Sequence, residues 1–576
     1  MLKNLSELNL ILKICKINNF FFLSIIILIN SLLELVSFGA LIPLVSSLVY
    51  DTFISEVVTF IKNMGLERLS EFLDKSKTNF YLILISTIFL LYSVKYIFNL
   101  FFNYHLSHLK IYYEKVISSK ILSIFFSGQN NDILDLPKSK ILQDFNLRLG
   151  SISSAVISLS NLLTETIVLL FLLIFLVLNF SLKFTYGFLI LIFFSLIFFA
   201  FYKNKVVQWS NDRGVGGDNR NKNLIDIFDG LRELIIYKKF NFLEKDFIKN
   251  NEQFLNPQKK IIFLNSLPKL FLEFITVIFI LASLLLAIIN EKNTSQILSF
   301  ISISGLIIIR TLPSLNKIIV NYSQIKYLTE PISSIKTLLI LGKERIFSDQ
   351  TCKINFEKKI ILKDIDFDYD DETRLLSNLN LEINKNTKIV IFGDTGSGKS
   401  TLIDIISGIK NQKKGEVIVD DKYLNEFDKH QWIDEIAYIS QKVYLFHTSI
   451  RNNITFKADN EEIDKDRFDK SLILSDLNPF IENKVKKEFT SVGEFGQNLS
   501  GGQRQKIGLA RALYSSRSIL ILDESTNAID KESEKLILNN FLRIKDKTII
   551  MITHSKENIK LFDLKYNLKN GNLIKI

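Results

Sequence analysis

The sequence predicts a multi-domain membrane protein, in which an all-α domain of six transmembrane helices precedes an α/β domain of the P-loop type. Three observations carry this. Apolar windows of about 20 residues, long enough to cross a bilayer, crowd the first 330 positions. Beyond about 345 the pattern changes to short β-branched runs alternating with helical segments, which indicates an α/β domain. One of those runs, KIVIF, leads directly into the glycine-rich stretch GDTGSGKST at 393–401.

Composition agrees with two unlike halves. The 576-residue chain is 48% hydrophobic and 23% charged, with a mean hydropathy of +0.22, so apolar and charged residues must be segregated. A single core rarely grows past about 250 to 300 residues, which also argues for more than one domain. Cys15 and Cys352 lie far apart in polar flanks and imply no disulfide framework. A net charge of +11 is compatible with nucleic acid, but basic residues in a membrane protein mark loops held on the anionic cytoplasmic side. The basicity is therefore read as topology, with no nucleic-acid partner.

The six spans are expected at about 20–44, 80–102, 155–180, 184–202, 267–290 and 296–321. The first follows lysines, but it is longer than a signal-peptide core and lacks a small-residue cleavage site, so it reads as a retained span. The connection 203–262 carries a dozen Lys and Arg, whereas SLK at 181–183 and NEKNTS at 290–295 are very short. The positive-inside rule then places both termini in the cytoplasm. Within 45–79, VVTFIKNMGLERLSEFL has helical periodicity and suits either a surface amphipathic helix or a solvated helical loop. Segments such as NLIDIFDGLRELIIYKKF at 223–240 keep a 3.6-residue period, so the membrane helices should continue into the cytoplasm. The expected domains are 1–330 for the membrane half, 331–350 for a helical linker, and 351–576 for the soluble half.

The soluble half carries a phosphate cradle. Gly393, Asp394, Thr395, Gly396, Ser397, Gly398, Lys399, Ser400 and Thr401 lie between the strand KIVIF and the apolar-periodic LIDIISGI, the strand-loop-helix setting a P-loop requires. Its glycines let backbone N–H groups wrap phosphates at a helix N-terminus. Lys399 would reach the β and γ phosphates of ATP, and Ser400 would coordinate Mg²⁺. Downstream, the apolar run SILIL ends in Asp523 and Glu524. Asp523 suits the Mg²⁺ shell, and Glu524 suits a general base acting on water.

Leu499-Ser500-Gly501-Gly502-Gln503 lies between these two motifs, and with it the chain resembles the ATP-binding cassette (ABC) transporter family, whose signature is LSGGQ. The resemblance implies roles for further residues. Tyr369 resembles the aromatic that stacks on adenine. Gln441 in AYISQKVYLF resembles the glutamine that contacts Mg²⁺, and His554 in MITHS the histidine at the γ-phosphate. Asp530 in NAID resembles the loop crossing between paired cassettes, although Asn527 and Ile529 depart from the usual form. Thr490-Ser-Val-Gly-Glu-Phe-Gly496 resembles a loop of exporter-type cassettes. In this family the signature of one cassette completes the nucleotide site of another, so one P-loop and one signature per chain imply a homodimer of half-transporters that hydrolyses ATP.

In the membrane half, Arg310 and Lys317 are one heptad apart in a long apolar run, within about 20° of each other around a helix. Lys95 and Lys269 sit in other spans, and Glu34, Glu165 and Glu273 supply acids. Charges in hydrocarbon cost several kcal/mol and face a protein interior or a wet cavity. The residues alone leave two readings open, internal pairing or a site for an anionic ligand. In length and order of features the chain also resembles the PglK-type flippases of lipid-linked oligosaccharides, on the segments SISGLIIIRTLPSLNKIIVNYSQIKY and SLPKLFLEF. That resemblance implies a cavity in which Lys95, Lys269, Arg310 and Lys317 handle the pyrophosphate of a polyprenyl-linked glycan in the bacterial inner membrane. Three of the four are lysine where arginine is expected, which loses the bidentate grip on phosphate. A flippase of lipid A or phospholipid, or a multidrug exporter, would share the architecture.

Overall fold

The computed structural model describes residues 2–17, 20–49, 53–63, 65, 76–126, 136–179, 182–289, 294–343, 356–368, 374–424 and 429–576. The chain divides into two compact units, Met1–Arg345 and Ile346–Ile576.

The described residues of the first unit form helices and their connections, with no strand among them. Its long helices run Phe20–Gly39, Lys77–Phe126, Leu149–Asn179, Leu182–Asp229, Asn241–Ile289 and Thr294–Tyr327, one over each expected span. Among the described residues, four helices are long and apolar enough to cross a membrane by length and composition. The first expected span is corrected in detail: it breaks at Ala40 and resumes as Leu41–Val49. Pro43 lies in the first turn of the second piece, where a missing N–H costs nothing. The other helices outrun the expected boundaries. Lys77–Phe126 has 50 residues, about 75 Å at 1.5 Å per residue, against a hydrocarbon core of about 30 Å. The helical periodicity expected in 45–79 appears as the helix Phe53–Asn63, and 66–75 lies outside the described residues.

The core of this unit gathers Leu8, Ile11 and Leu12 of the N-terminal helix Leu2–Ile14, Tyr113, Ile117 and Ile121 of the long helix, and Ile332, Ile335 and Leu339. The last three belong to the helix Thr329–Lys343. Its apolar face is buried, so it packs as part of the unit where a linker was expected, and 344–350 lies outside the described residues. Asn4 Nδ2 ties the N-terminal helix to Ile325 O at 3.0 Å and Thr329 Oγ1 at 2.7 Å.

Where Leu149–Asn179 begins, a single π-helical turn, Asp144–Arg148, buries Arg148. Its guanidinium is met by Asp144 at 2.9 Å, Asp218 at 3.0 Å and Glu330 at 2.5 Å, which joins three helices through one cation. Close approach nearby depends on glycine. A Cβ on Gly216 would fall 2.7 Å from Phe254 N and 2.8 Å from Gln253 C, so Leu182–Asp229 and Asn241–Ile289 meet backbone to backbone there.

The second unit contains two sheets. Strands β1 (Lys359–Asp368), β2 (Arg374–Asn384), β4 (Lys414–Val419) and β5 (Lys422–Tyr423) form an antiparallel sheet in the order β2-β1-β4-β5. Strands β3 (Lys388–Phe392), β6 (Ile436–Ile439), β7 (Ile519–Asp523), β8 (Thr548–Ile552), β9 (Leu564–Lys569) and β10 (Asn572–Lys575) form the other, ordered β10-β9-β3-β8-β7-β6. Its central strands are parallel. All five residues of β7 and of β8 are buried, as expected where helices cover both faces of a parallel sheet. The runs KIVIF and SILIL singled out in the sequence are β3 and β7. The chain ends in a hairpin, β9 and β10, whose Asn570-Gly571 turn has φ of 48° and 77°, the geometry such hairpins favour.

Candidate functional site

The glycine-rich loop sits between β3 and the helix Lys399–Ile406. Gly396 and Gly398 have φ of 83° and 98°, a left-handed backbone that side-chain-bearing residues enter at a cost. A Cβ on Gly393 would lie 2.2 Å from Leu568 O. These glycines hold the loop open as a cradle. The Lys399 ammonium donates to Gly393 O at 3.0 Å and Asp394 O at 2.7 Å. Burial draws its pKa below the usual lysine range, against the pull of Glu524, Asp523 and Asp394. A cavity of about 470 Å³ opens here, lined by Thr395, Gly396, Lys399, Ser400, Glu524 and His554, with Gln441 at its edge. The loop, the acid-bearing strand end and the histidine therefore share one space.

Asp523 and Glu524 leave the end of β7 in different directions. Glu524 has φ of 46°, and its N–H donates to Ile552 O at 3.1 Å. This fixes the turn by which its carboxylate faces the cavity. There Glu524 accepts from Gln441 Nε2 at 2.7 Å and Asn527 Nδ2 at 3.0 Å, and His554 Nε2 stands 2.9 Å away. Three side chains from separate segments thus orient one carboxylate. Asp523 is buried and accepts from Tyr438 O–H at 2.9 Å. Burial raises its carboxyl above the ordinary range, Glu524 adds to this, and hydrogen bonds from Tyr438 and Ser400 oppose it.

The donor set fits a hard divalent cation. The Ser400 hydroxyl, the Asp523 carboxylate and the Gln441 amide oxygen are all oxygen ligands, the type Mg²⁺ takes. Ser400 and Asp523 are already joined by a hydrogen bond, so two of the three converge on one place.

The signature segment begins the helix Gly501–Tyr514, with Ser500 as N-cap. Ser500 Oγ accepts from Gln503 N at 3.2 Å, and Gln503 Oε1 accepts from Ser500 N at 2.9 Å, a reciprocal capping box. Gly501 and Gly502 approach the 527–530 turn closely, since a Cβ on Gly502 would lie 2.8 Å from Ala528 O. Asp530 caps the next helix, Lys531–Leu542, through Ser533 N at 2.9 Å. None of Ser500, Gly501, Gly502, Gln503 and Asp530 lines the phosphate cavity. Tyr369 lies outside the described residues.

Two residues that bind this site together went unnoticed in the sequence. Tyr438 reaches Asp523 from the neighbouring strand. Gln505 accepts from Ala528 N at 2.8 Å and donates to Gln441 O at 3.5 Å, connecting the signature helix with two other motif segments. Gln505 lies two residues beyond the signature, and Tyr438 lies within AYISQKVYLF, three residues before Gln441, which was the available signal.

In the helical unit, the charges within the apolar helices separate into groups. Arg310 pairs with Glu34 and, at 3.4 Å, with Glu165. Lys317 Nζ reaches Glu165 Oε1 at 2.6 Å, and Ser314 Oγ donates to Glu165 Oε2 at 2.8 Å. Glu34 lies on Phe20–Gly39, Glu165 on Leu149–Asn179 and both bases on Thr294–Tyr327, so the network joins three helices. Lys95 forms no ion pair among the described residues. It stands 5.3 Å over the Tyr92 ring, within electrostatic reach of Glu34 and Arg310. Lys269 is exposed and meets Glu273 on its own helix at 3.9 Å, apart from the others.

Comparison with known proteins matches residues 376–527 to the family model described as ABC transporter. The chain is 34% identical over 224 residues to the glutathione/L-cysteine transport system ATP-binding/permease protein CydC of Haemophilus influenzae, covering 38% of this chain and 39% of that one. It is 30% identical over 359 residues to the ATP-dependent lipid A-core flippase of Wigglesworthia glossinidia brevipalpis, covering 61% of this chain and 59% of the relative. In both cases the chain spans less than two thirds of the relative's length. A bacterial Atm1-family ABC exporter solved with ATP bound superposes with a TM-score of 0.78 at 15% identity, over 96% of this chain and 95% of that one. The fold is therefore that of the matched exporter structure, a helical domain followed by an α/β domain, and residues 376–527 of the α/β domain are what the ABC transporter model matches.

Proposed function

We propose that this chain is an ATP-driven half-transporter that acts as a homodimer in a bacterial inner membrane, with both termini cytoplasmic, and flips a polyprenyl-pyrophosphate-linked oligosaccharide. The observation that carries the ATPase reading is the Glu524 carboxylate, held by Gln441, Asn527 and His554 at the mouth of the Lys399 cavity. A carboxylate so placed can take the proton of a water attacking the γ-phosphate. The loop amides and Lys399 would hold the phosphates. Ser400, Asp523 and Gln441 would hold Mg²⁺, which would supply charge neutralisation for the phosphate oxygens. His554 orients Glu524.

Two features of the α/β domain support the homodimer reading. The lining of the Lys399 cavity includes no residue of 500–503, and the N-terminus of a 14-residue helix carrying Ser500, Gly501 and Gly502 is suited to an anion. In a two-fold pair, each signature would close the partner's cavity.

The substrate reading rests on the second resemblance and on the polar network inside apolar helices. A pyrophosphate head group cannot cross hydrocarbon unaided, whereas its polyprenyl tail remains in lipid. With Arg310 and Lys317 already bound to Glu34 and Glu165, passage of an anion requires exchange of those partners, which a change between helix arrangements would provide. A relative named ATP-dependent lipid A-core flippase favours a second reading, a phosphorylated glycolipid of the lipid A type. The test is ATP-dependent movement between leaflets of a fluorescent polyprenyl-pyrophosphate glycan in proteoliposomes. Movement by wild type and none by Glu524→Gln supports the proposal. Robust ATP hydrolysis without movement of this lipid overturns the substrate assignment.

A further inference from the structure

A cavity of about 450 Å³ opens among the helices Phe20–Gly39, Lys77–Phe126, Leu149–Asn179 and Thr294–Tyr327, within the size range of small-ligand sites. Its lining is unusual for an apolar helical domain. Asn30, Asn99, Asn103, Asn161 and Asn321 face it beside Glu34, Glu165 and Lys317, and Phe102 is its only apolar wall among the described residues. Asn321 Nδ2 donates to Lys317 O at 2.7 Å, and among the described residues the side chains of the other four have no hydrogen-bond partner. Asn30 is nevertheless only 4% exposed. Polar groups without partners are costly in a helix bundle surrounded by lipid, and intramembrane polar clusters mark ligand paths.

The chemistry of the lining selects the ligand. An anion needs donors in excess, yet Lys317 is engaged by Glu165, and Arg310 by Glu34 and Glu165. The charged residues that line the cavity are two acids, Glu34 and Glu165, and one base, Lys317, so the lining itself holds no excess of positive charge. A metal ion needs several carboxylate, imidazole or thiolate ligands, and the described residues contain no such group of three. An apolar drug needs apolar walls, of which there is one. A carboxamide offers one acceptor oxygen and two N–H donors, which matches the paired donor and acceptor character of hydroxyl groups.

We propose that this cavity binds the sugar hydroxyls of a glycolipid head group and selects for the glycan, separately from any contact with the pyrophosphate. This rests on the lipid-flippase reading above. The probes are polyprenyl pyrophosphate with and without a disaccharide, offered to the full chain in proteoliposomes. Wild type should move the disaccharide-bearing lipid about tenfold faster, as expected where buried polar groups would otherwise be left unpaired. Asn99→Leu with Asn161→Leu should bring that ratio near one, while Asn99→Gln with Asn161→Gln, which keeps the carboxamides, should retain part of it. Equal rates for both lipids in wild type, or an unchanged ratio in the leucine variant, overturn the site. Movement of neither lipid contradicts the flippase reading instead. The cavity is then decided by soluble disaccharide, which should raise the unfolding temperature of wild type but not of the leucine variant; equal responses overturn it. A larger rise with a polar peptide than with the disaccharide overturns the sugar assignment.

Discussion

Lys317 and Glu165 join the helices Thr294–Tyr327 and Leu149–Asn179, Nζ standing 2.6 Å from Oε1. The same carboxylate faces Arg310 at 3.4 Å, so one acid serves two bases. Breaking a buried pair from one side costs about 3 to 5 kcal/mol, and here the Lys317 side chain is 54% exposed while Glu165 is 5% exposed. Glu165→Gln should therefore cost less, about 2 kcal/mol, seen as a lower unfolding temperature in detergent. Adding Lys317→Met should recover part of the loss. An additive double variant would show that the two residues do not interact.

Glu524→Gln should lower the ATPase rate by about 10² to 10⁴, the usual contribution of a general base. Nucleotide affinity should persist, because Lys399 and the glycine loop are unchanged. Fluorescent-nucleotide titration alongside turnover separates the two. A variant hydrolysing ATP at the wild-type rate would remove Glu524 from the chemistry.

Asp523 makes stability depend on pH. Burial is the main cause of its raised carboxyl pKa, and Glu524 adds to it. A raised folded pKa favours folding below the ordinary carboxylate range and loses that benefit as pH rises through the folded value. Asp523→Asn should thus melt above wild type at pH 7 to 8 without Mg²⁺, and the gap should close on acidification towards pH 4. ATPase activity should be lost in the same variant. A wild type that melts higher at neutral pH without Mg²⁺ would contradict this.

Gly216→Ala should destabilise the helical unit by about 1 to 3 kcal/mol, the ordinary cost of overpacking. The added Cβ meets the backbone of Gln253 and Phe254, which cannot rotate away as a side-chain end can. A melting curve matching that of wild type would show that the helices separate there at little cost.

The sequence made the nucleotide site legible because its parts are contiguous. Nine residues of loop, two acids at a strand end and five residues of signature each carry their own context. Tyr438 and Gln505 were hidden because their roles arise only when separate segments meet. The charged residues in the spans were visible as a set, but their partners depend on how helices pack. Glu165 serving both Arg310 and Lys317 while Lys269 pairs along its own helix could not be read from spacing. Hydropathy located the membrane parts of the helices and stopped where polar residues began, which is why Lys77–Phe126 outruns the expected 80–102. The hairpin turn Asn570-Gly571 was a readable signal that was passed over.

Mixing two inactive variants tests most directly whether two copies share each ATP site. Lys399→Ala removes a P-loop contact, and Ser500→Arg blocks a signature, so each homodimer should be inactive. In a mixed dimer one intact P-loop faces one intact signature, and random pairing should restore about a quarter of the wild-type ATPase rate, given two equivalent sites in a two-fold dimer. Recovery of that size is the predicted result. No recovery above the separate variants, with mixed dimers confirmed by affinity tags, would contradict the shared site and the homodimeric transporter built on it.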